Sequence, residues 1–395
     1  MRQTVIKNVS QAMHMVKEMN IGCQGEWSDE CRQIGRNAIA EFLRDRMKDS
    51  IADYLGRLPE GALDRRNGSY QRHLLTEIGD LMLSVPRTGT YNPISILEAY
   101  ARRKKEVDRL ILACFVLGLS TRKVGEALMT ILGEKVSPTT VSRVAKTLDA
   151  AVAAFHRRKL SNVYRALIFD GVVLSRKTGM GSLKRPVLVV LGIRKDGKKE
   201  VIDFRLAASE SAAEWDTFLA DLWKRGLTGK GVEVISVDGG KGLLSVLPDH
   251  YPFIPVQRCW AHKIRNITDK ARVRDRASLK RGLREIYTAA HILEAMQRAG
   301  QWKKEWEQKY PGAVKSLFTD IEDLLTCFQF KDLAFRKSIR TTNLIERRFK
   351  EVRRRTRPMG VFSDRTSMDR ILYAVFMYEN KAEEAYPLFL LTQKS

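Results

Sequence analysis

Three acidic residues stand where they could hold metal ions. Asp170 and Asp238 each follow a short apolar segment of strand character, Tyr164–Phe169 and Val232–Val237, and Glu346 comes much later in the chain. Sheets bind ligands at the carboxyl ends of their strands, so the two aspartates face each other if their strands are neighbours. Carboxylates held close together repel unless a cation lies between them. Such oxygen ligands suit two Mg²⁺ ions, which about 4 Å apart catalyse phosphodiester displacement, and Glu346 is the candidate third carboxylate.

Each of these acids also has a plainer interpretation. An Asp-Gly pair after a strand, as at 170–171 and 238–239, is often only a turn. Asn343 followed three residues later by Glu346 fits a capping box, in which the glutamate accepts a hydrogen bond from the Asn343 backbone N–H. Taken alone, Glu346 is as compatible with a helix cap as with a metal ligand. The combination of three acids, the strand order and the surrounding charge favours the metal site.

Glu346 lies in a strongly basic stretch. Residues 336–357 contain ten Lys or Arg and only two acids, Glu346 and Glu351. Arginine side chains form charge-assisted hydrogen bonds to phosphate oxygens. The residues expected to contact DNA phosphates beside the metal ions are Arg347, Arg348, Arg353 and Arg354.

The charge of the whole chain indicates a polyanionic partner. The 395 residues include 70 Lys or Arg against 46 Asp or Glu, a formal net charge of +24, and the basic residues recur throughout. No apolar run is long enough to cross a membrane, and the start lacks the apolar core of a signal peptide. The five cysteines are few and scattered, as in a reduced cytosolic protein. We therefore expect a cytoplasmic nucleic-acid-binding protein that does not bind a membrane.

A helix-turn-helix pattern precedes the segments of strand character. Residues 108–119 predict an apolar helix, Ser120 is a candidate N-cap for the next, and Ser137-Pro138 opens a third. The third helix is expected to bury Val141, Val144, Ala145 and Leu148, which recur at helical spacing. Residues on the other face can reach phosphates and base edges. The residues predicted to contact DNA in this region are Arg122, Lys123, Thr139, Thr140, Ser142, Arg143 and Lys146. An ordinary helical hairpin is the alternative, and the charge of the chain favours DNA contact.

The order of the remaining elements predicts an α+β multidomain protein. After a basic linker over 150–163, strand segments at 164–169, 186–193 and 201–206 precede an amphipathic helix at 212–225 and strands at 232–237 and 253–257. Three hairpin-connected strands followed by helix, strand, helix and strand describe a mixed sheet flanked by helices, as in the ribonuclease H-like fold. Residues 264–337 carry no strand signal and form a predicted all-helical insertion. Residues 75–83 could be strand or helix.

These patterns divide the chain into five predicted parts. Residues 1–100 form a mostly helical DNA-binding region, and residues 101–155 form the helix-turn-helix. Residues 160–263 are the first part of the catalytic domain, and 264–337 are the insertion. Residues 338–395 complete the catalytic domain with the helix of Glu346.

Two further pairs of residues could take part in chemistry. Cys259 and His262 form a C-x-x-H pair, but no second pair with zinc-ligand spacing accompanies them. They are therefore expected to have a structural or substrate-positioning role near the site. Trp302 and Trp306 could stack on an unpaired base, although the core of the insertion is the favoured place for them.

Taken together, the motifs resemble the mutator-type transposases of bacterial insertion sequences. Those that carry the resemblance are Arg66–Tyr70, Val85–Arg87, Leu119–Val124, Ser137–Ser142, Asp170-Gly171, Asp238-Gly239, Cys259 with His262, and Thr341–Glu346 with its arginines. The resemblance covers about residues 60–380, and no motif position departs from it. It implies that Asp170, Asp238 and Glu346 are the D-D-E ligands of two Mg²⁺ ions, with Mn²⁺ able to substitute.

The resemblance also implies an activity and its partners. The protein would bind the terminal inverted repeats of an insertion sequence, cleave DNA strands and transfer them to target DNA in the bacterial nucleoid. Pairing two ends requires a homodimer or larger assembly. Two alternatives stay open: a ribonuclease H-like structure-specific DNA nuclease, and a helix-turn-helix DNA-binding regulator without catalysis.

Overall fold

The computed structural model describes residues 26–76, 78–97, 105–132, 136–178, 181–357 and 365–382. The chain divides into two compact units by its contacts. The first contains the residues up to Cys114 together with Thr121–Ser142, and the second contains Phe115–Ser120 and the residues from Arg143 onward. No described helix is both long and apolar enough to cross a membrane.

The first unit is built on a long helix and a β-hairpin. Helix α1 spans Glu26–Gly56, and strands β1 (Arg66–Thr76) and β2 (Gly79–Thr88) pair antiparallel. A mostly helical region was predicted over 1–100, with 75–83 open between strand and helix, and the structure has strands at Arg66–Thr76 and Gly79–Thr88 instead. The first 25 residues lie outside the described ones. In β2 buried residues alternate with more exposed ones, which is the period of a strand with one face on a core. That core, shared with α1, includes Met47, Leu74, Leu81, Leu83 and Val85.

The hairpin brings two of the sequence motifs together. Ser69 pairs with Pro86, and Tyr70 pairs with Val85. The register of β1 shifts between Arg66 and Ser69, so Asn67-Gly68 forms a bulge with a φ of 64° at Gly68.

Four helices follow in the chain. They are α2 (Lys105–Val116), α3 (Thr121–Leu132), α4 (Pro138–Lys146) and α5 (Leu148–Arg157). Ser137 Oγ accepts a hydrogen bond from the Thr140 N–H at 3.1 Å, which confirms the predicted N-cap of α4. The predicted buried residues, Val141, Val144, Ala145 and Leu148, are indeed buried. The linker expected over 150–163 is wrong as far as Arg157, because Val152 and Phe155 are buried with Leu148 on one face of α5.

A mixed five-stranded sheet forms the centre of the second unit, as predicted. Its strands are β3 (Tyr164–Thr178), β4 (Gly181–Arg194), β5 (Lys199–Leu206), β6 (Val234–Val237) and β7 (Val256–Arg258). They lie in the order β5-β4-β3-β6-β7. The first three strands pair antiparallel, and β6 and β7 run parallel to β3. The first and fourth strands of the sheet, β3 and β6, are therefore neighbours.

Helices cover the sheet. Helix α6 (Ala212–Lys224) buries Trp215, Phe218, Leu219 and Leu222, the face predicted for it, and packs with α7 (Lys241–His250) over the sheet core. Helices α14 (Asn343–Thr356) and α15 (Arg365–Ala382) contact β3 and β5 respectively.

Only helices occur between β7 and α14. They are α8 (Trp260–Thr268), α9 (Arg276–Tyr287), α10 (Ile292–Trp306), α11 (Pro311–Thr319), α12 (Ile321–Leu325) and α13 (Leu333–Ile339), with short 3₁₀ turns among them. Helices α8 to α12 share a core of their own that contains both Trp302 and Trp306. The Trp302 side chain is 2% exposed, and its Nε1–H donates to the Leu279 carbonyl at 3.3 Å. The core interpretation of this tryptophan pair is therefore confirmed.

Truncation of Trp302 should lower the free energy of unfolding of the helical segment. Trp302→Ala removes a buried indole and should cost about 3–5 kcal/mol, whereas Lys304→Ala on the same helix, where the side chain is exposed, should cost little. Hydrogen exchange over residues 276–306 measures the difference. A Trp302→Ala protein that exchanges like the wild type but binds DNA more weakly would support base stacking instead.

Candidate active site

The strand register places Asp170 and Asp238 next to each other in the sheet. The parallel pairing of β3 with β6 ends at Phe169 opposite Val237, so the two aspartates are the next residues on neighbouring strands. Asp170 was expected to end its strand, and this detail is wrong. β3 continues to Thr178 because β4 stays paired with it on its other side, Asp170 lying opposite Val189. Asp170 is therefore the first residue of β3 beyond its pairing with β6.

Asp170 is a buried carboxylate with an unpartnered oxygen. The residue is 2% exposed, and Oδ2 has no hydrogen-bond partner among the described residues. Burial, and then the negative charge of Asp238, raise the pKa of Asp170 to about 7. Nearby His262 partly offsets this effect. A divalent cation would satisfy the free oxygen and remove the repulsion.

Asp238 lies at a tight turn after β6. Its Oδ1 accepts a hydrogen bond from the Gly240 N–H at 2.9 Å, and Gly239 has a φ of 97°, which side chains other than that of glycine rarely tolerate. The turn interpretation of this Asp-Gly pair is thus correct for the backbone. Because the turn directly follows the last residue pair between β3 and β6, it also brings the Asp238 carboxylate next to Asp170.

Glu346 faces His262 and Arg265. Its Oε1 lies 3.7 Å from His262 Nε2 and 3.8 Å from Arg265 Nη2, and its side chain is 41% exposed. The capping-box alternative is wrong, because the N-cap of α14 is Thr342 and not Asn343. Glu346 is therefore the fourth residue after the N-cap, whereas a capping box requires the third.

A cavity of about 690 Å³ opens in front of these residues. It is lined by Asp170, Gly171, Val172, Val173, His262, Arg265, Asn343, Glu346, Arg347, Lys350 and Arg353. Two of the three predicted acids thus share one concave surface with five basic or histidine side chains. Asp238 adjoins Asp170 but is not among the lining residues.

The acids are gathered in one region without forming a closed metal site. Among the described residues no group of three or more His, Cys, Asp or Glu side chains is arranged to hold a metal ion. Asp170 and Asp238 are adjacent, while Glu346 is turned toward the two cations of α8.

Cys259 and His262 connect the sheet, α8 and α14. Cys259 is 1% exposed, and its Sγ lies 3.3 Å from His262 Nδ1 and accepts the Thr342 N–H at 3.3 Å. Burial opposes ionisation of the thiol, but the hydrogen bonds from His262 and from the backbone outweigh it and lower the pKa of Cys259. The hydrogen bond to Cys259 in turn raises the pKa of His262 to about 9, with support from the charges of the aspartates. His262 is therefore held between the aspartate pair and Glu346.

The arginines of α14 have different surroundings. Arg347 and Arg353 line the cavity together with Lys350, which sequence reasoning had not named. Arg348 does not face the cavity freely: its side chain is 12% exposed and donates to Glu379 Oε2 at 3.0 Å and to the Glu379 carbonyl at 2.9 Å. Its guanidinium joins α14 to α15, and its predicted phosphate contact stays a prediction. Arg354 is exposed and paired with Glu351 at 2.9 Å.

The predicted contacts in the helix-turn-helix segment are mostly at the surface. Thr140 and Ser142 are half-buried, and Thr140 contributes to the N-cap of α4. The side chains that are exposed are those of Arg122, Lys123, Thr139, Arg143 and Lys146.

The mixed sheet, interrupted by a helical segment, thus places the buried Asp170 and the half-buried Asp238 beside a basic cavity. The chain matches the family model described as "Transposase, Mutator family" over residues 7–385. It belongs to that family.

Curated relatives agree with this assignment along most of their length. The transposase for insertion sequence element IS905 of Lactococcus lactis subsp. lactis is 32% identical, over 86% of this chain and 88% of the relative. The transposase for IS256 in transposon Tn4001 of Staphylococcus aureus is 30% identical, over 87% and 89%. A solved structure, the Drosophila P element transposase strand transfer complex, gives a TM-score of 0.31 at 12% identity, over 74% of this chain and 84% of that one. That likeness is too low to bear on the fold.

The protonation of Asp170 should make metal-free stability depend on pH. The folded state binds this proton more tightly than the unfolded chain, where the pKa is near 3.8, so stability falls as pH rises from about 4 to about 7. At 1.36 kcal/mol per pH unit the loss is on the order of 4 kcal/mol. Asp170→Asn should therefore melt higher than the wild type at pH 8 in EDTA, and the difference should shrink toward pH 4. Asp249→Asn, at an exposed position of α7, is the control, and equal melting of Asp170→Asn and wild type at pH 8 would refute the expectation.

Proposed function

We propose that this chain is a D-D-E DNA transposase, which binds the terminal inverted repeats of an insertion sequence and catalyses Mg²⁺-dependent strand cleavage and strand transfer. The observation that carries the proposal is the register that makes Asp170 and Asp238 neighbours at the end of the β3–β6 pairing. Membership of the family and the naming of the relatives as transposases of insertion sequences support it.

We assign the sheet to the ribonuclease H-like fold. The support is its order, three antiparallel strands followed by two strands parallel to the first, with helices on the connections. The helical segment 264–337 is then an insertion between the fifth strand of the sheet and the helix of the third acid.

Asp170, Asp238 and Glu346 are the proposed ligands of two Mg²⁺ ions, for which Mn²⁺ can substitute. The unpartnered, buried Oδ2 of Asp170 supports this choice, because an anionic oxygen kept from water needs a cation. When bound, such ions activate the attacking oxygen and stabilise the leaving oxygen of a phosphodiester. Glu346 would turn from His262 and Arg265 toward the aspartates to join them.

The other residues of the cavity have separate tasks. Cys259 and Thr342 orient His262, which in turn offsets the negative charge between the aspartates and Glu346. Arg347, Lys350 and Arg353 would bind DNA phosphates that enter the cavity.

DNA recognition is assigned to the N-terminal region and to the helix-turn-helix of α3 and α4. The exposed side chains of Arg122, Lys123, Arg143 and Lys146 would contact duplex DNA. A homodimer or larger assembly would pair two element ends and capture target DNA. We place this activity in the bacterial cytoplasm, at the nucleoid.

Loss of any one acid should abolish the chemistry. Asp170→Asn, Asp238→Asn and Glu346→Gln should each lower cleavage and joining of end-containing DNA by roughly 10⁴-fold, because the ligands act as a unit. Duplex binding measured in EDTA should persist in all three. Gel assays with labelled element ends and Mg²⁺ follow both steps, and Glu305→Gln, at an exposed position of α10, is the matched control.

The same assays separate the alternatives. Cleavage without joining, and without dependence on element ends, would identify a structure-specific nuclease. Specific duplex binding with no Mg²⁺-dependent activity in the wild type would identify a regulator. Full activity in one of the three variants would remove that residue from the site.

Arg353 and Arg354 form a matched pair for the phosphate contacts. Arg353→Ala should weaken duplex binding and reduce the slope of log K against log salt by about 1, because it removes one phosphate contact. Arg354→Ala should change the slope less, since Glu351 already holds that guanidinium. Filter binding or anisotropy between 50 and 200 mM salt measures both slopes, and identical slopes would exclude Arg353 from the DNA path.

A further inference from the structure

A fourth carboxylate lies beside the aspartate pair. Glu210 belongs to the loop between β5 and α6, which carries none of the sequence motifs. Its carboxylate carbon and Oε1 lie 2.7 and 2.9 Å from the position that a Cβ atom on Gly171 would occupy. The side chain of Glu210 therefore rests against the backbone of the residue that follows Asp170.

The same loop fits against the chain that follows Asp238. The carbonyl oxygen of Glu210 lies where a Cβ atom on Gly242, near the start of α7, would collide with it. A side chain at Gly171 or at Gly242 would displace the loop. Glycine at both positions lets Glu210 approach the two aspartates together.

Glu210 is an exposed residue whose carboxylate has no hydrogen bond or ion pair within the described ranges. Partial burial of the carboxylate together with the charge of Asp238 raises its pKa. Independently, the buried Oδ2 of Asp170 lacks a partner at the same place. Three carboxylates gathered in this way repel one another, and a cation bound among them would relieve the repulsion.

We propose that Glu210 is a fourth acid of the metal site, a positioning residue that accepts hydrogen bonds from the water shell of a divalent cation held by Asp170 and Asp238. This inference rests on the proposed function for the presence of that cation. We assign Glu210 an outer role, in keeping with the finding that no group of three or more His, Cys, Asp or Glu side chains among the described residues is arranged to hold a metal ion. Mg²⁺ keeps several of its waters in proteins, and groups that hold such outer ligands typically change metal affinity about 10–100-fold.

The test measures metal binding and metal-free stability, without any DNA substrate. In EDTA at pH 8, Glu210→Gln should melt higher than the wild type, because one repelling charge is gone. Its Kd for Mn²⁺, measured by electron paramagnetic resonance of the free ion, should rise about 10-fold, and Mg²⁺ should raise its melting temperature less. Glu305→Gln should match the wild type in all three measurements.

Gly171→Ala provides a second, independent variant. The added methyl group occupies the place of the Glu210 carboxylate, so it should weaken Mn²⁺ binding in the wild type but not further in Glu210→Gln. Additive losses would mean that Gly171→Ala acts through Asp170 alone, which would count against the contact.

The outcomes separate this inference from the proposed function. If the wild type binds Mn²⁺ more tightly than Asp170→Asn but Glu210→Gln binds it like the wild type, only the role of Glu210 is overturned. A lower metal-free melting temperature of Glu210→Gln would make the residue structural and would overturn it too. If the wild type binds Mn²⁺ no better than Asp170→Asn, the metal site of the proposed function fails as well.

Discussion

One carboxylate oxygen that is kept from water without a hydrogen-bond partner among the described residues, Oδ2 of Asp170, constrains the sheet around it. Asp170 is 2% exposed and adjoins Asp238, so its ionised form is opposed both by desolvation and by a like charge. A protein keeps such a residue only where the surrounding structure fixes it in place. β3 does so, because it is paired with β4 on both sides of Asp170 and with β6 up to the residue before it.

The positive charge that offsets the negative charge of Asp170 comes from a residue outside the sheet, His262. His262 stands on the first helix after β7, and its ring is fixed by Cys259 and by Thr342, at the start of the Glu346 helix. In this arrangement the imidazole is attracted to the aspartates and to Glu346 together. The Cys259–His262 pair therefore positions a positively charged imidazole between the aspartates and Glu346.

The structure could be predicted from the sequence where the local residue pattern and the order of neighbouring strands determine it. Apolar segments followed by Asp170 and Asp238 predicted the strands and their ends closely enough to bring the acids together. The N-cap at Ser137 and the buried faces of α4 and α6 follow from spacing alone, and all are confirmed.

What could not be predicted depends on partners that are distant in the chain. In the sequence nothing distinguishes Arg348 from the other arginines of its helix, and only the fold shows that it pairs with Glu379. Glu210 carries no motif, and only the folded loop shows it against Gly171. The capping box failed because α14 starts at Asn343 itself, a shift of one residue that tertiary hydrogen bonds at Thr342 decide.

The helical segment between β7 and α14 is, in polymer terms, a closed loop. The chain leaves the sheet at Cys259 and returns at Arg340–Thr342, where the Trp260 N–H donates to the Arg340 carbonyl at 3.0 Å and Ser236 Oγ donates to the Ile339 carbonyl at 2.7 Å. The entropy of closing a loop grows only logarithmically with its length. Because the two ends are joined at the sheet in this way, the length of the segment has little effect on the entropic cost of returning the chain to the helix of Glu346.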